Sequence, residues 1–107
     1  MRSRIAYACF HCRISLKRDR ESNEVETCSR CSGSLYRMGW SFKAPPQSDS
    51  EQWQKVQLLY AHGFRFIGSG HHTGESFPAR LRDVLDFIER NPDHPLRVAS
   101  MKPELML

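Results

Sequence analysis

Four cysteines near the start of the chain are spaced as candidate metal ligands or redox groups. Cys9 and Cys12 form one Cys-x-x-Cys pair, Cys28 and Cys31 form a second, and fifteen residues separate the pairs. This spacing is typical of a zinc site, because a tight turn across each pair can direct two thiolates at one point. Gly33 suits the second turn if that turn needs a positive φ. Four thiolates leave no position for water, so the sequence predicts one structural Zn2+ ion.

The same four cysteines allow other interpretations. A redox dithiol would need only one pair, two disulfides would use all four sulfurs, and rubredoxin-type iron takes similar ligands. Residues 1–8 contain no apolar run long enough for a secretory signal, and no segment is apolar enough to span a membrane. We therefore expect a cytoplasmic location, where paired cysteines bind metal more often than they form disulfides.

Basic residues concentrate at the start of the chain. Residues 1–20 contain six cations and one anion, whereas the whole chain has a net charge of +4, so the remainder is close to neutral. A basic face of this kind attracts polyanions, which predicts a nucleic acid or a ribonucleoprotein as the partner. A solvated surface that only keeps the protein soluble would have the same composition. The predicted nucleic-acid contacts are Arg2, Arg4, Arg13, Lys17, Arg18, Arg20 and Lys43.

Two aromatic residues and a cation follow the second cysteine pair: Trp40, Phe42 and Lys43. If the rings are exposed, they could stack on unpaired bases while the lysine binds the backbone. If they are buried, they would seal the cysteine-rich segment against a following helix. We expect burial, because a protein of this size needs aromatic area in its core.

Other residues near the cysteines, and one loop, are secondary candidates. With four cysteines available, His11 is expected to be an exposed turn residue and not a ligand. Arg13 and Arg30 adjoin ligand cysteines, where they would offset the negative charge of the site or contact phosphate. His71 and His72 lie in a glycine-rich loop and are expected to be exposed, with a second metal or phosphate site as the alternative.

Prolines divide the chain into two folded segments and a tail. Residues 1–43 have the short alternating stretches of a β-rich zinc ribbon, which ends at Pro45 and Pro46 because proline lacks the N–H that a sheet needs. Residues 44–91 are predicted to form a helix-strand-helix unit against which the ribbon packs. Residues 92–107 are a C-terminal tail that is either extended against the body or loose. The predicted fold class is therefore small α+β.

Apolar periodicity and capping signals place the elements of residues 44–91. Ser48 and Glu51 predict a capping box for a helix that ends near His62, before Gly63. Residues 64–67 predict a short strand, and a second helix is expected to start near residues 77–78, where a proline suits a first turn. The predicted apolar faces are Trp53, Val56, Leu59 and Tyr60 in the first helix and Leu81, Val84, Leu85 and Ile88 in the second.

Residues 9–38 resemble the zinc-ribbon superfamily, whose members occur in translation, transcription and ribosomal proteins. The chain departs from the usual Cys-Pro-x-Cys-Gly second knuckle by having Ser29 and Ser32. A narrower resemblance, to a group of short bacterial zinc-ribbon proteins with no assigned activity, covers most of the chain. The sequences that carry it are residues 28–33 and 38–45, Gln52-Trp53 with Val56 and Leu58, Gly63-Phe64-Arg65-Phe66, and residues 77–87. These resemblances imply metal binding without implying a reaction.

The sequence favours a binding module over an enzyme. No Ser-His-Asp or Cys-His set can be assigned, and Asp83, Asp86 and Glu89 recur at the spacing of a solvated helix face. The glycines of residues 68–74 lack the Lys-Ser/Thr that a phosphate-binding loop requires. The leading hypothesis is a zinc-stabilised module that binds nucleic acid or a ribonucleoprotein. The alternative is a protein-protein interaction adaptor with a purely structural ribbon, in which exposed aromatic residues or the 68–74 loop bind the partner.

Overall fold

The protein is described by a computed structural model over residues 4–19, 27–67 and 74–106. A three-stranded antiparallel sheet precedes two helices, which confirms the predicted α+β class. The elements are β1 (Arg4–Cys9), β2 (Ile14–Asp19), β3 (Tyr36–Gly39), α1 (Ser50–Ala61) and α2 (Val84–Arg90), with 3-10 turns at Leu81–Asp83 and Pro103–Leu105.

Strand β1 is the centre of the sheet and is shared between two cores. The strand order is β2-β1-β3, and both pairings are antiparallel. Because side chains alternate along a strand, Ile5, Tyr7 and Cys9 lie on one face, where they pack with Cys28 and Leu35. The alanines of β1, at positions 6 and 8, lie on the opposite face, and their small side chains leave room for α1 to pack there.

Helix α1 bridges the sheet and the second helix. Asp49, and not Ser48, caps its N-terminus, because the Asp49 carboxylate accepts a hydrogen bond from the Gln52 N–H at 3.2 Å. The helix ends as predicted, since Gly63 adopts a φ of 96° immediately after the capping His62. One side of α1 packs on the sheet through Trp53, Val56 and Tyr60, and the other side packs on α2 through Leu58 and Leu59.

Residues 64–67 do not form the predicted strand. Phe64 makes one isolated bridge with Arg97, while the Phe66 N–H donates to the Met38 carbonyl at 2.9 Å. The Phe66 carbonyl in turn accepts from the Ser41 N–H at 2.9 Å. The segment therefore bonds to the C-terminal tail at one residue and to the outer edge of β3 at another, so no continuous ladder forms.

The second helix begins later than predicted. Arg80 is extended, the Leu81 N–H is bonded to the Glu51 carboxylate at 3.2 Å, and α2 starts only at Val84 after a 3-10 turn. The prediction that Leu85 belongs to the core is wrong, because its side chain is 61% exposed. Phe87 takes that role with 0% exposure, among Leu58, Leu59, Phe64, Val84 and Ile88.

The C-terminal tail is extended against the body as far as residue 106. The Lys102 N–H donates to the Ala61 carbonyl at 2.8 Å, and the Gln57 side-chain amide donates to the Leu105 carbonyl at 2.9 Å. Leu105 is buried in the core between the sheet and α1. The tail therefore closes the end of that core.

Candidate metal centre

The first cysteine pair lies in the turn between β1 and β2. Cys9 is the last residue of β1, and Ile14 opposite it is the first residue of β2, so the hairpin register fixes the length of the turn. The Cys12 N–H donates to the Cys9 sulfur at 3.4 Å. This bond is the one that a Cys-x-x-Cys turn uses to stabilise a thiolate.

The second cysteine pair lies in a turn closed by its own short bridge. Thr27 and Ser34 pair across the turn, the Cys28 N–H donates to the Gly33 carbonyl at 2.8 Å, and the Gly33 N–H donates to the Cys31 sulfur at 3.4 Å. The residues after this turn continue into β3, which pairs with β1. The sheet therefore brings the second turn next to the first.

The four cysteine sulfurs converge on one point. All four Sγ atoms lie within 4.8 Å of one another, with Cys9 and Cys31 at 3.6 Å and Cys12 and Cys28 at 3.9 Å. A tetrahedron with metal–sulfur bonds of about 2.3 Å has edges of about 3.8 Å, so the cluster has the size that a single metal ion requires. The predicted ligand set is thus brought together as one possible metal site.

The protonation preferences of the sulfurs also fit a cation between them. Desolvation by burial, with the nearby sulfurs of Cys31 and Cys28, raises the pKa of the Cys12 thiol to about 12, and burial likewise raises the pKa of Cys9. Backbone hydrogen bonds from Cys31 and Arg30 lower the pKa of Cys28 to about 7. Four sulfurs this close therefore cannot all ionise unaided, and a divalent cation supplies the charge that lets them do so.

Both turns use a left-handed residue directly after their second cysteine. Arg13 has a φ of 55° and Ser32 a φ of 61°. The positive φ predicted for Gly33 therefore falls one residue earlier, on Ser32, which stands where the zinc-ribbon consensus has glycine. A non-glycine residue in this region is strained by about 1–2 kcal/mol. The two turns thus share one backbone conformation. We attribute this to the convergence of the sulfurs, which both turns must allow.

Two sets of contacts that the sequence did not indicate connect the first turn to β3, to α1 and to the segment before α1. Phe10, between the two cysteines, packs its ring against Tyr36, Trp53 and Tyr60 at centroid distances of 5.4, 6.4 and 5.8 Å. The side-chain amide of Gln47 donates to the Cys12 carbonyl at 2.9 Å. The metal centre is thus anchored to the aromatic core beside it.

The charged residues next to the cysteines surround the cluster without joining it. His11 is exposed, as predicted, and among the described residues only the four cysteines form a group that could hold a metal ion. Arg30 is exposed and Arg13 is partly buried. If all four thiolates bind one ion, no coordination position is left free.

The structure does not place all the predicted nucleic-acid contacts on one face. Arg2 and Arg20 lie outside the described residues, as do His71 and His72. Lys17 pairs with Ala6 and therefore shares the helix-facing side of the sheet, whereas Arg18 pairs with Ile5 on the other side. Arg4, Lys17 and Lys43 are exposed, and Arg13 and Arg18 are partly buried.

The two aromatic residues after the second turn have opposite environments. Phe42 is buried against Trp53 and Phe66, at ring distances of 6.4 and 5.0 Å. Trp40 is 53% exposed, so the expectation that it is buried is wrong. Gly39, with a φ of 128°, turns the chain at the end of β3 and leaves the following side chain outside the core.

Across residues 4–19, 27–67 and 74–106, neither helix has the length and apolar character of a membrane span. Comparison of the chain with protein-family models, with curated proteins and with solved structures gave no match. The narrower resemblance to short bacterial zinc-ribbon proteins therefore stays a prediction, whereas the four-cysteine cluster stands on its own geometry.

Proposed function

We propose that the ion of the four-cysteine centre is zinc and that the protein is a zinc-stabilised module that binds nucleic acid or a ribonucleoprotein. The sulfur separations of 3.6 and 3.9 Å support a tetrahedral tetrathiolate, a coordination that Zn2+ and iron share. Zinc needs no redox partner and is the usual ion of a closed structural site.

The charge of the ribbon is the observation that carries the nucleic-acid part of the proposal. Residues 1–43 contain nine cations and four anions, a net charge of +5, whereas the remaining residues have a net charge of −1. The ion pairs of Arg80 with Glu51 and of Arg90 with Glu75 lie elsewhere in the chain. Lys17 and Lys43 form no ion pair among the described residues, and Arg4 forms none there although Asp19 lies opposite it in the β1–β2 pairing. These exposed cations therefore contribute to the attraction of a polyanion.

Substitution of these three cations tests the proposal. Replacing Arg4, Lys17 and Lys43 together by glutamine should weaken binding to RNA and DNA regardless of sequence, because phosphate contacts carry no base information. Each lost contact should also flatten the dependence of log K on log salt by about 0.7 for a single strand and about 0.9 for duplex DNA. Fluorescence anisotropy with single-stranded RNA, duplex RNA and duplex DNA at several salt concentrations measures both effects.

A matched control removes the same charge from the other half of the protein. Arg80, Arg82 and Arg90 are exposed, and their surface ion pairs contribute only about 0–1 kcal/mol, so the glutamine triple variant should keep its fold. Both variants must retain one zinc per chain. If they lose affinity and salt slope equally, or if the wild type binds no nucleic acid at low salt, the proposal fails.

Exposed apolar residues favour the adaptor as a second candidate. Val98 is 58% exposed and Met101 is 49% exposed, near each other in the tail. A protein partner would bury these two side chains, whereas phosphate binding would not involve them. Purification of the tagged protein with and without nuclease separates the candidates, because a partner that survives nuclease treatment supports the adaptor and one that disappears supports nucleic-acid binding.

A further inference from the structure

A shallow pocket lies where the outer edge of β3 meets the end of α1 and the segment that follows it. Its volume is about 180 Å3, and its lining residues are Arg37, Met38, Gly39, Tyr60, Arg65 and Ile67. Within the part of the chain that the structure describes, two cations thus line this pocket and no carboxylate does.

Arg65 is held in the pocket in a fixed orientation. Its guanidinium carbon lies 3.5 Å from the centre of the Tyr60 ring, and its Nη1 donates to the carbonyls of Tyr60 at 2.9 Å and Phe64 at 2.8 Å. Burial lowers the pKa of Arg65, although these contacts already engage one side of its guanidinium. An anion at the mouth of the pocket could bind the remaining N–H groups of Arg65 together with the exposed Arg37, which also lines the pocket.

An exposed aromatic ring follows directly after the pocket-lining Gly39. Trp40 is 53% exposed, and the neighbouring Ile67 is 37% exposed. The backbone around Trp40 is fixed, because the Ser41 N–H and hydroxyl both donate to the Phe66 carbonyl, at 2.9 and 2.7 Å. Trp40 itself does not line the pocket. It follows the lining residue Gly39 in the chain, and the hydrogen bonds of Ser41 hold the backbone on its other side.

We propose that this pocket binds an unpaired nucleotide of a single-stranded nucleic acid, with phosphate on Arg37 and Arg65 and the base against Trp40 and Ile67. Aromatic rings beside arginines are how proteins bind unpaired bases and their backbone. The inference rests on the proposed function and adds to it a place on the surface and a preference for single strands. Stacking of a base on an exposed ring needs no deep cavity, so a pocket of about 180 Å3 is compatible with this assignment.

Tryptophan fluorescence tests the stacking directly. The chain has two tryptophans, and Trp53 is only 2% exposed, so quenching by a single-stranded oligonucleotide should come from Trp40. A decamer of uridylate should quench the wild type and should leave the emission of the Trp40→Phe variant unchanged. Trp40→Ala should weaken binding by roughly 5–150-fold, the range expected for the loss of one stacked base.

The charge contacts are tested by Arg37→Gln, which should weaken binding and flatten the salt slope by about 0.7. Arg82→Gln, an exposed change of equal charge outside the pocket, should alter neither the quenching nor the binding by a comparable amount. Metal content and circular dichroism should match the wild type in every variant.

The outcomes separate this inference from the function on which it rests. If the wild type binds the decamer but Trp40→Ala and Arg37→Gln bind it equally well, the pocket assignment is overturned and the wider function stands. If the wild type binds no nucleic acid, both are overturned. If poly-glutamate quenches Trp40 as strongly as the decamer does, the pocket is a site for acidic protein and the nucleotide assignment is wrong.

Discussion

Removal of the metal should unfold more of the protein than the two cysteine turns. Strand β1 contributes Ile5, Tyr7 and Cys9 to the core that contains Cys28, and its opposite face packs against the core of α1. The core on the cysteine side has five buried residues, of which two are predicted ligands. Loss of the ion would leave that small core without its centre, and β1 would then lose its position against α1 as well.

The expected loss is larger than the protein can tolerate. Structural zinc contributes about 10–16 kcal/mol of apparent binding free energy in isolated fingers at neutral pH. The whole free energy of unfolding of an ordinary domain is about 5–15 kcal/mol. Chelation, or the single change Cys28→Ser, should therefore unfold the sheet. Trp53, whose side chain is 2% exposed and whose indole N–H donates to the Pro46 carbonyl at 3.0 Å, should then become exposed to water.

Elemental analysis and Trp53 emission in a Trp40→Phe background measure the two parts of this prediction. The wild type should carry one zinc per chain, and chelation should shift the emission of Trp53 to longer wavelength. His11→Ala is the matched control, because His11 lies between two ligands but is exposed and outside the cluster. Purified protein without a transition metal, or Cys28→Ser with unchanged metal content and melting temperature, would refute the reasoning. Iron in place of zinc would refute only the identity of the ion.

Two further predictions concern the packing around α2 and the end of β3. Phe87→Ala should lower the free energy of unfolding by about 3–5 kcal/mol, because the Phe87 ring is fully buried. Leu85→Ala should change the free energy of unfolding by less than about 0.5 kcal/mol, because Leu85 is exposed. Equal melting temperatures of the two variants would contradict the assignment. Gly39→Ala should lower the free energy of unfolding by about 1–3 kcal/mol through backbone strain. Gly39 has a φ of 128°, and a methyl group there would collide with the Phe66 carbonyl oxygen. A melting temperature equal to that of the wild type would contradict this prediction.

The metal site was predictable because its determinants are local. A Cys-x-x-Cys turn fixes the direction of two sulfurs, and the spacing between the pairs leaves few ways to bring the turns together other than a hairpin. The pairings of Cys9 with Ile14 and of Thr27 with Ser34 close the two turns, and the pairing of β3 with β1 brings the turns together. The sequence indicated Gly33 for the positive φ, but Ser32 adopts it, while the Gly33 N–H donates to the Cys31 sulfur.

The errors occurred where long-range contacts decide the structure. Leu81, Val84, Leu85 and Ile88 all fit a helical period, but the stripe that faces α1 also includes Phe87, which leaves Leu85 in solvent. Periodicity predicts that a helix has an apolar side, but it does not determine how the helix is rotated about its axis relative to the neighbouring helix. Residues 64–67 alternate as a strand does, yet their backbone N–H groups bond to three different parts of the chain, namely α1, the C-terminal tail and β3. No local pattern could show this.

The metal centre and the proposed nucleotide pocket are connected through the sheet. Residues 37–39 form one wall of the pocket, and they belong to β3, which follows the second cysteine turn and pairs with β1. Tyr60 and Arg65 form the other wall, and they belong to α1 and the segment after it. We expect the two walls to keep their separation only while β1 holds β3 against α1, and we expect that position of β1 to depend on the metal. A structural ion can thus determine whether the pocket exists without contacting anything that binds there.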